Sequence, residues 1–126
     1  MNTQTLQQQA KEFRESYNLG NEKTISKRTY QKNLVIEEFK EFLEAEGMLF
    51  RHALHYHEHA LKEIADLVYV LYQYAENMGW DLDTAMDRVH QSNMSKLDED
   101  GKPIYRGDGK VLKGPNYVPP NLSDLL

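Results

Sequence analysis

The chain predicts an all-α fold: a helical bundle of four to five helices completed by oligomerisation, with a short irregular or hairpin C-terminal tail. Three observations predict it. Apolar residues recur at 3.6-residue spacing through most of the chain. One central segment, Ile64 to Met78, is apolar almost all round, as expected of a helix enclosed by others. From Asp98 the texture changes to glycine, proline and lysine. The 126 residues suit a single domain, with a helical core over 1–97 and a basic, Pro/Gly-rich tail over 98–126.

The elements follow in order. Leu6, Ala10, Phe13 and Tyr17 predict a helix over Thr3 to Tyr17, ended by the turn residues Asn18-Leu19-Gly20-Asn21. Thr24 or Ser26 can cap a second helix running to about His55, with Val35, Phe39, Phe42, Leu49, Phe50 and Ala53 on its apolar face. Going round that helix, Glu37, Glu41 and Glu44 fall opposite the apolar face, and Glu38 falls at its edge. A third helix is expected over about Glu58 to Asn77, its polar strip reduced to Glu63, Asp66, Gln73 and Asn77. Gly79 marks its end. Asp81 or Asp83 can cap a fourth helix through about Gln91, with Ala85, Met86 and Val89 inward. Asp108-Gly109 between two short segments suggests a hairpin or tight loop, and Pro115, Pro119 and Pro120 keep the end non-helical.

Composition excludes several functions. The longest apolar run, Leu67 to Tyr72, is far short of the ~20 residues of a membrane span. There are no cysteines, so disulfides and thiolate metal sites are excluded. A net charge of −5 argues against a protein built to grip nucleic acid. It leaves room for a phosphorylated small molecule if a metal supplies positive charge. Met1-Asn2-Thr3-Gln4 lacks the features of a signal peptide, and a cytoplasmic location is the expectation.

Two acidic motifs carry the chemistry. Glu37-Glu38-x-x-Glu41 lies in the second helix and Glu63-x-x-Asp66 in the third. Carboxylates three residues apart lie on one side of a helix, one turn apart. Two such pairs on neighbouring helices bring like charges together and need a cation or a proton. No Lys or Arg occurs between Lys62 and Arg88 to neutralise the second pair. Oxygen-only ligands favour Mg²⁺ or Mn²⁺, and the absence of Glu-x-x-His disfavours a di-iron bundle site. The bland alternative is a solvated acidic surface.

These motifs, followed by Ser92-Asn93-Met94-Ser95-Lys96-Leu97 and Gly109-Lys110-Val111-Leu112-Lys113-Gly114-Pro115-Asn116-Tyr117, resemble the all-α nucleotide pyrophosphohydrolases, the MazG-like and phosphoribosyl-ATP pyrophosphohydrolase-like enzymes. The resemblance implies Mg²⁺, assemblies of two or more chains, and cleavage of a nucleoside triphosphate between its α- and β-phosphates to give a nucleoside monophosphate and pyrophosphate. It implies Glu38, Glu41, Glu63 and Asp66 as metal ligands. It makes Glu37 a further ligand or the carboxylate that orients the attacking water, a role open to Glu41 as well. Asn93 and Lys96 would touch the phosphates. Where MazG-like enzymes carry further basic residues this chain has Leu97-Asp98-Glu99-Asp100, and Lys110, Lys113 or Arg106 are the candidates to replace that charge.

Other features are less specific. Phe13, Tyr30 and Trp80 could stack on a base, although aromatics at helical spacing usually belong to a core. His52, His55, His57 and His59 could hold Zn²⁺ or Ni²⁺, but exposed loop histidines are the plainer reading. Two other functions compete with catalysis: a degenerate protein that binds metal and nucleotide without turnover, and a plain helical interaction protein.

Overall fold

The computed structural model describes residues 3–126; Met1 and Asn2, which open the expected helical core, lie outside the described residues. Among the described residues there are four α-helices: α1 (Leu6–Ser16), α2 (Ile25–Glu46), α3 (Leu54–Met78) and α4 (Leu82–Met94). Strands β1 (Ile104–Tyr105) and β2 (Val111–Leu112) and one 3-10 turn (Ser123–Leu125) follow. The all-α expectation holds, and the hairpin forms around Asp108-Gly109, with Ile104 opposite Leu112 and Tyr105 opposite Val111. The chain divides into two units, Met1–Asp81 and Leu82–Leu126, so α4 groups with the C-terminal segment.

In the first unit α3 packs against both α2 and α1. Thr5 starts α1 through a reciprocal capping box: its Oγ1 accepts from Gln8 N at 3.1 Å, and Gln8 Oε1 accepts from Thr5 N at 2.8 Å. Helix α1 therefore begins at Leu6 rather than Thr3. Thr24, one of the two expected caps, starts α2 by accepting from Lys27 N at 3.2 Å. Helix α2 then stops at Glu46 instead of continuing to His55. Its last turn holds Glu44 and Glu46 and no basic residue, which opposes the helix dipole, and Gly47 follows. The backbone tightens there, with Met48 N donating to Ala45 O and Leu49 N to Glu46 O. Helix α3 starts earlier than expected, at Leu54, and ends at Gly79, whose φ of 74° is a left-handed conformation suited to glycine.

The inner face of α2 differs from the one expected. Gln31 and Ala45 are buried and Leu34, Val35, Glu38, Glu41 and Phe42 half-buried, whereas Phe39 is exposed together with Ile36 and Leu43. Helix α3 presents its narrow polar strip to the interior, with Glu63, Gln73 and Asn77 buried, while Leu61, Ile64, Val68 and Leu71 are exposed. Charge and amide groups, not apolar side chains, therefore occupy much of the interior of this single chain, and each needs a partner.

One half of that polar strip is satisfied by Arg14 of α1, itself 3 % exposed. Its guanidinium donates to Gly20 O at 2.6 and 3.1 Å, to Asn77 Oδ1 at 2.9 Å and to Gln73 Oε1 at 3.3 Å. Asn77 Nδ2 donates on to Glu22 O at 3.0 Å, and Gln73 Nε2 to Ala10 O at 3.4 Å. One cation thus ties α1, the α1–α2 loop and α3 together.

In the second unit α4 runs to Met94, past the expected Gln91, with Ser92 its buried residue. Asp81 stands just before its first residue. Gly114 N donates to Lys96 O at 2.8 Å, and Val118 N donates to Ser95 Oγ at 2.9 Å. A Cβ at Gly114 would lie 2.5 Å from Leu97 O and 2.6 Å from Lys96 O, so this close approach requires glycine. The segment is not net basic as expected: Lys102, Arg106, Lys110 and Lys113 are outnumbered by Asp98, Glu99, Asp100, Asp108 and Asp124. Arg106 is itself paired with Asp108.

Candidate metal centre

The other half of the α3 strip meets α2. Carboxylate oxygens of Glu38, Glu41 and Glu63 lie within 4.8 Å of one another, the first two from successive turns of α2 and the third from α3. Three full charges at that spacing would cost about 3–4 kcal/mol per pair at an effective dielectric of 20. The protein's own response is a proton. Burial, then the hydrogen bond that the protonated Glu38 carboxyl makes to Glu41, then the charges of Glu41, Asp66 and Glu63 push the Glu38 carboxyl from 4.5 up to about 7.

Glu63 is 4 % exposed. Its Oε1 has His59 Nδ1 at 3.7 Å and Lys62 Nζ at 3.8 Å, both outside hydrogen-bond range. Its Oε2, like Oε2 of Glu38, is buried with no hydrogen-bond partner. Two orphaned, buried carboxylate oxygens facing a third acid are what a small hard cation would satisfy, and Glu38, Glu41 and Glu63 fit such an ion.

The remaining expected site residues are placed as follows. Asp66 is not buried: its side chain is 37 % exposed and accepts from Lys62 Nζ at 2.7 Å. Lys62, one turn before Asp66, thus supplies the neutralising charge that the sequence was expected to lack. That hydrogen bond, then the charges of Asp66 and Glu63, raise the Lys62 pKa. The charge of Asp66 is still felt at Glu38. Glu37 is exposed on α2, outside the three-carboxylate group. Asn93 is an exposed residue near the end of α4, and Lys96 is half-buried just beyond it. Lys110 and Lys113 flank β2, with Lys113 Nζ 4.8 Å from the Tyr117 ring centroid. His52, His55, His57 and His59 are all exposed and enter no metal-binding group among the described residues.

Sequence reasoning missed three residues that shape this region: Lys62, Arg14 and Gln31. Lys62 was findable, because Lys and Asp at i, i+4 on a helix meet. Arg14 and Gln31 left no such signal, since a polar residue within an amphipathic pattern reads as outward-facing.

Among the described residues, no helix is long and apolar enough to cross a membrane. Comparison with known proteins finds 32 % identity over 106 residues with an uncharacterised protein of Acanthamoeba polyphaga mimivirus, covering 53 % of this chain and 42 % of that relative. The chain thus spans about two-fifths of the length of the curated relative it matches. Residues 3–93, which include both acidic motifs and end at Asn93, match phosphoribosyl-ATP pyrophosphohydrolase. The chain belongs to the phosphoribosyl-ATP pyrophosphohydrolase family, within the MazG-like all-α nucleotide pyrophosphohydrolases.

Proposed function

We propose that this protein is a Mg²⁺-dependent nucleoside triphosphate pyrophosphohydrolase, active in the cytoplasm, that cleaves the α–β phosphate bond to give a nucleoside monophosphate and pyrophosphate. The observation that carries this reading is the pair of orphaned buried oxygens on Glu38 and Glu63, facing Glu41 from two helices. Glu38, Glu41 and Glu63 would hold Mg²⁺ or Mn²⁺, with Asp66 as the fourth carboxylate. The ion, when bound, supplies positive charge to the phosphates and acidifies a water.

The chain's own residues supply the rest. Glu41 reaches solvent and is the carboxylate placed to orient water and accept its proton, with Glu37 on the exposed flank of the same helix. Lys62 holds Asp66 in place. Asn93, Lys96 and the tail residues Lys110 and Lys113 are the groups for the phosphate chain, where lysine acts as a point charge. The exposed apolar stripes of α2 and α3 support an assembly of at least two chains, in which a second copy covers them.

The test is a panel of ribo- and deoxynucleoside triphosphates incubated with Mg²⁺, the products separated by chromatography. Monophosphate and pyrophosphate should appear together. Stepwise release of single phosphates, or no turnover with either ion, would overturn the reading. Glu63→Gln should abolish turnover while leaving the helical circular-dichroism signal intact.

A further inference from the structure

About two helical turns from the carboxylates lies a second feature, wholly within the first unit. Gln31 precedes Glu38 by seven residues on α2, and Val70 follows Glu63 by seven on α3, a rise of about 10 Å along each helix. Gln31 and Val70 line one cavity of 250 Å³, so it sits on the same pair of helix faces as the acids. Phe13, Tyr17, Tyr30 and Tyr69 form its aromatic walls. Phe13 lies 4.6 Å from Tyr17 and 5.5 Å from Tyr69 between ring centroids, the latter edge-on. Tyr17 and Tyr30 are 66 % and 56 % exposed, at the rim.

The cavity carries one unmet demand. Gln31 is 3 % exposed, yet its Oε1 is buried with no hydrogen-bond partner, a rare and costly state for an amide. The other amide of the lining, Gln73, cannot take that role, because Arg14 and Ala10 O already engage it. No lining side chain is charged, so the cavity suits a neutral ring and not a phosphate. A half-open, mostly apolar and aromatic cavity with one unpartnered amide among its lining residues is a composition that orients an aromatic heterocycle.

We infer that this cavity receives the nucleobase of the substrate and that Gln31 reads its hydrogen-bonding edge. The inference rests on the pyrophosphohydrolase reading for the phosphates; the cavity's chemistry is independent of it. The amide offers an acceptor and two donors, and each standard base presents an N–H beside an acceptor. A base whose edge N–H groups are all methylated (the ring N–H of uracil or thymine, both hydrogens of the amino group of adenine or cytosine, the ring N–H and both amino hydrogens of guanine) leaves Oε1 unpaired and is rejected. Tyr30, exposed at the mouth, is the ring placed to stack on the base.

The experiment has two arms. In the first, pyrophosphate release is measured with Mg²⁺ for triphosphates of the four bases and for the fully edge-N-methylated form of the preferred one. The wild type should favour the unmethylated base in kcat/KM by at least about tenfold. Gln31→Leu should bring the two within about twofold, chiefly through KM, while melting no lower than wild type because a buried orphan acceptor is gone. Tyr30→Ala should raise KM for every base. An unchanged methylation ratio in Gln31→Leu overturns the inference and leaves the function standing.

In the second arm, metal-free protein is titrated with nucleosides lacking phosphate, followed by NMR. The Gln31 side-chain amide and the Tyr69 ring should shift, even in a protein that releases no pyrophosphate. Pyrophosphate release without those shifts overturns the inference, as do Gln31 shifts that follow protein concentration alone, which would place a second copy over the cavity.

Discussion

Protonation of Glu38 would report the state of the proposed metal centre. Its carboxyl is held up to about 7, against an ordinary 4.5, by burial and by Glu41, Asp66 and Glu63. Between those two values the folded metal-free protein binds more protons than the unfolded chain, so its stability falls as pH rises through that window. The proposed binding of Mg²⁺ would need the carboxylate, so affinity should rise across the same window. Thermal scans from about pH 5 to pH 8 should show a falling melting temperature without Mg²⁺ and a Mg²⁺-dependent gain that widens toward high pH. Glu38→Gln should flatten the metal-free trend. Part of this site was legible beforehand: carboxylates spaced by three on each of two helices had to align, and Glu38, Glu41 and Glu63 do meet. The rotation of α2 was not legible, because Phe39 in the sequence pulls the apparent apolar face away from Glu41. Only packing against α3 resolves that choice, and it leaves Phe39 47 % exposed.

At the scale of the element, Arg14 is the joint on which α1 depends. Replacing it with leucine removes the donors to Gly20 O, Asn77 Oδ1 and Gln73 Oε1. Each acceptor left without a partner costs about 1–3 kcal/mol. We therefore expect Arg14→Leu to lower the unfolding free energy by about 3 kcal/mol or more, measured by urea denaturation, with α1 amides losing hydrogen-exchange protection first. A small effect, below about 1 kcal/mol, would show that solvent replaces the guanidinium. Helix starts were legible where a side chain marks them, as Thr24 does for α2. The α2–α3 boundary was misplaced because Ala53, at the N-cap of α3, makes no side-chain cap, and Leu49 to Ala53 continue the apolar pattern without forming helix.

For the molecule as a whole, the apolar surface is the unfinished part. Ile36, Phe39 and Leu43 on α2, and Leu61, Ile64, Val68 and Leu71 on α3, recur at three- and four-residue spacing as exposed stripes. The near-continuous apolar character of α3 made this legible, although which side faces inward was not. We expect sedimentation to show an oligomer, and Leu61→Glu with Val68→Glu to shift it toward monomer with helix content retained. A monomeric wild type at about 100 times its working concentration would rule out the self-association. The clasp in the C-terminal unit has a different consequence. Lys96 O and Gly114 N close the base of an excursion that leaves and returns at one place, and Gly107 at its tip has nothing within 4 Å of where a side chain would begin. Loop length adds little entropy cost to such a closed excursion. An epitope or fluorophore spliced in at Gly107 would therefore leave Lys96 undisturbed, whereas alanine at 114 would prise the excursion open at its root.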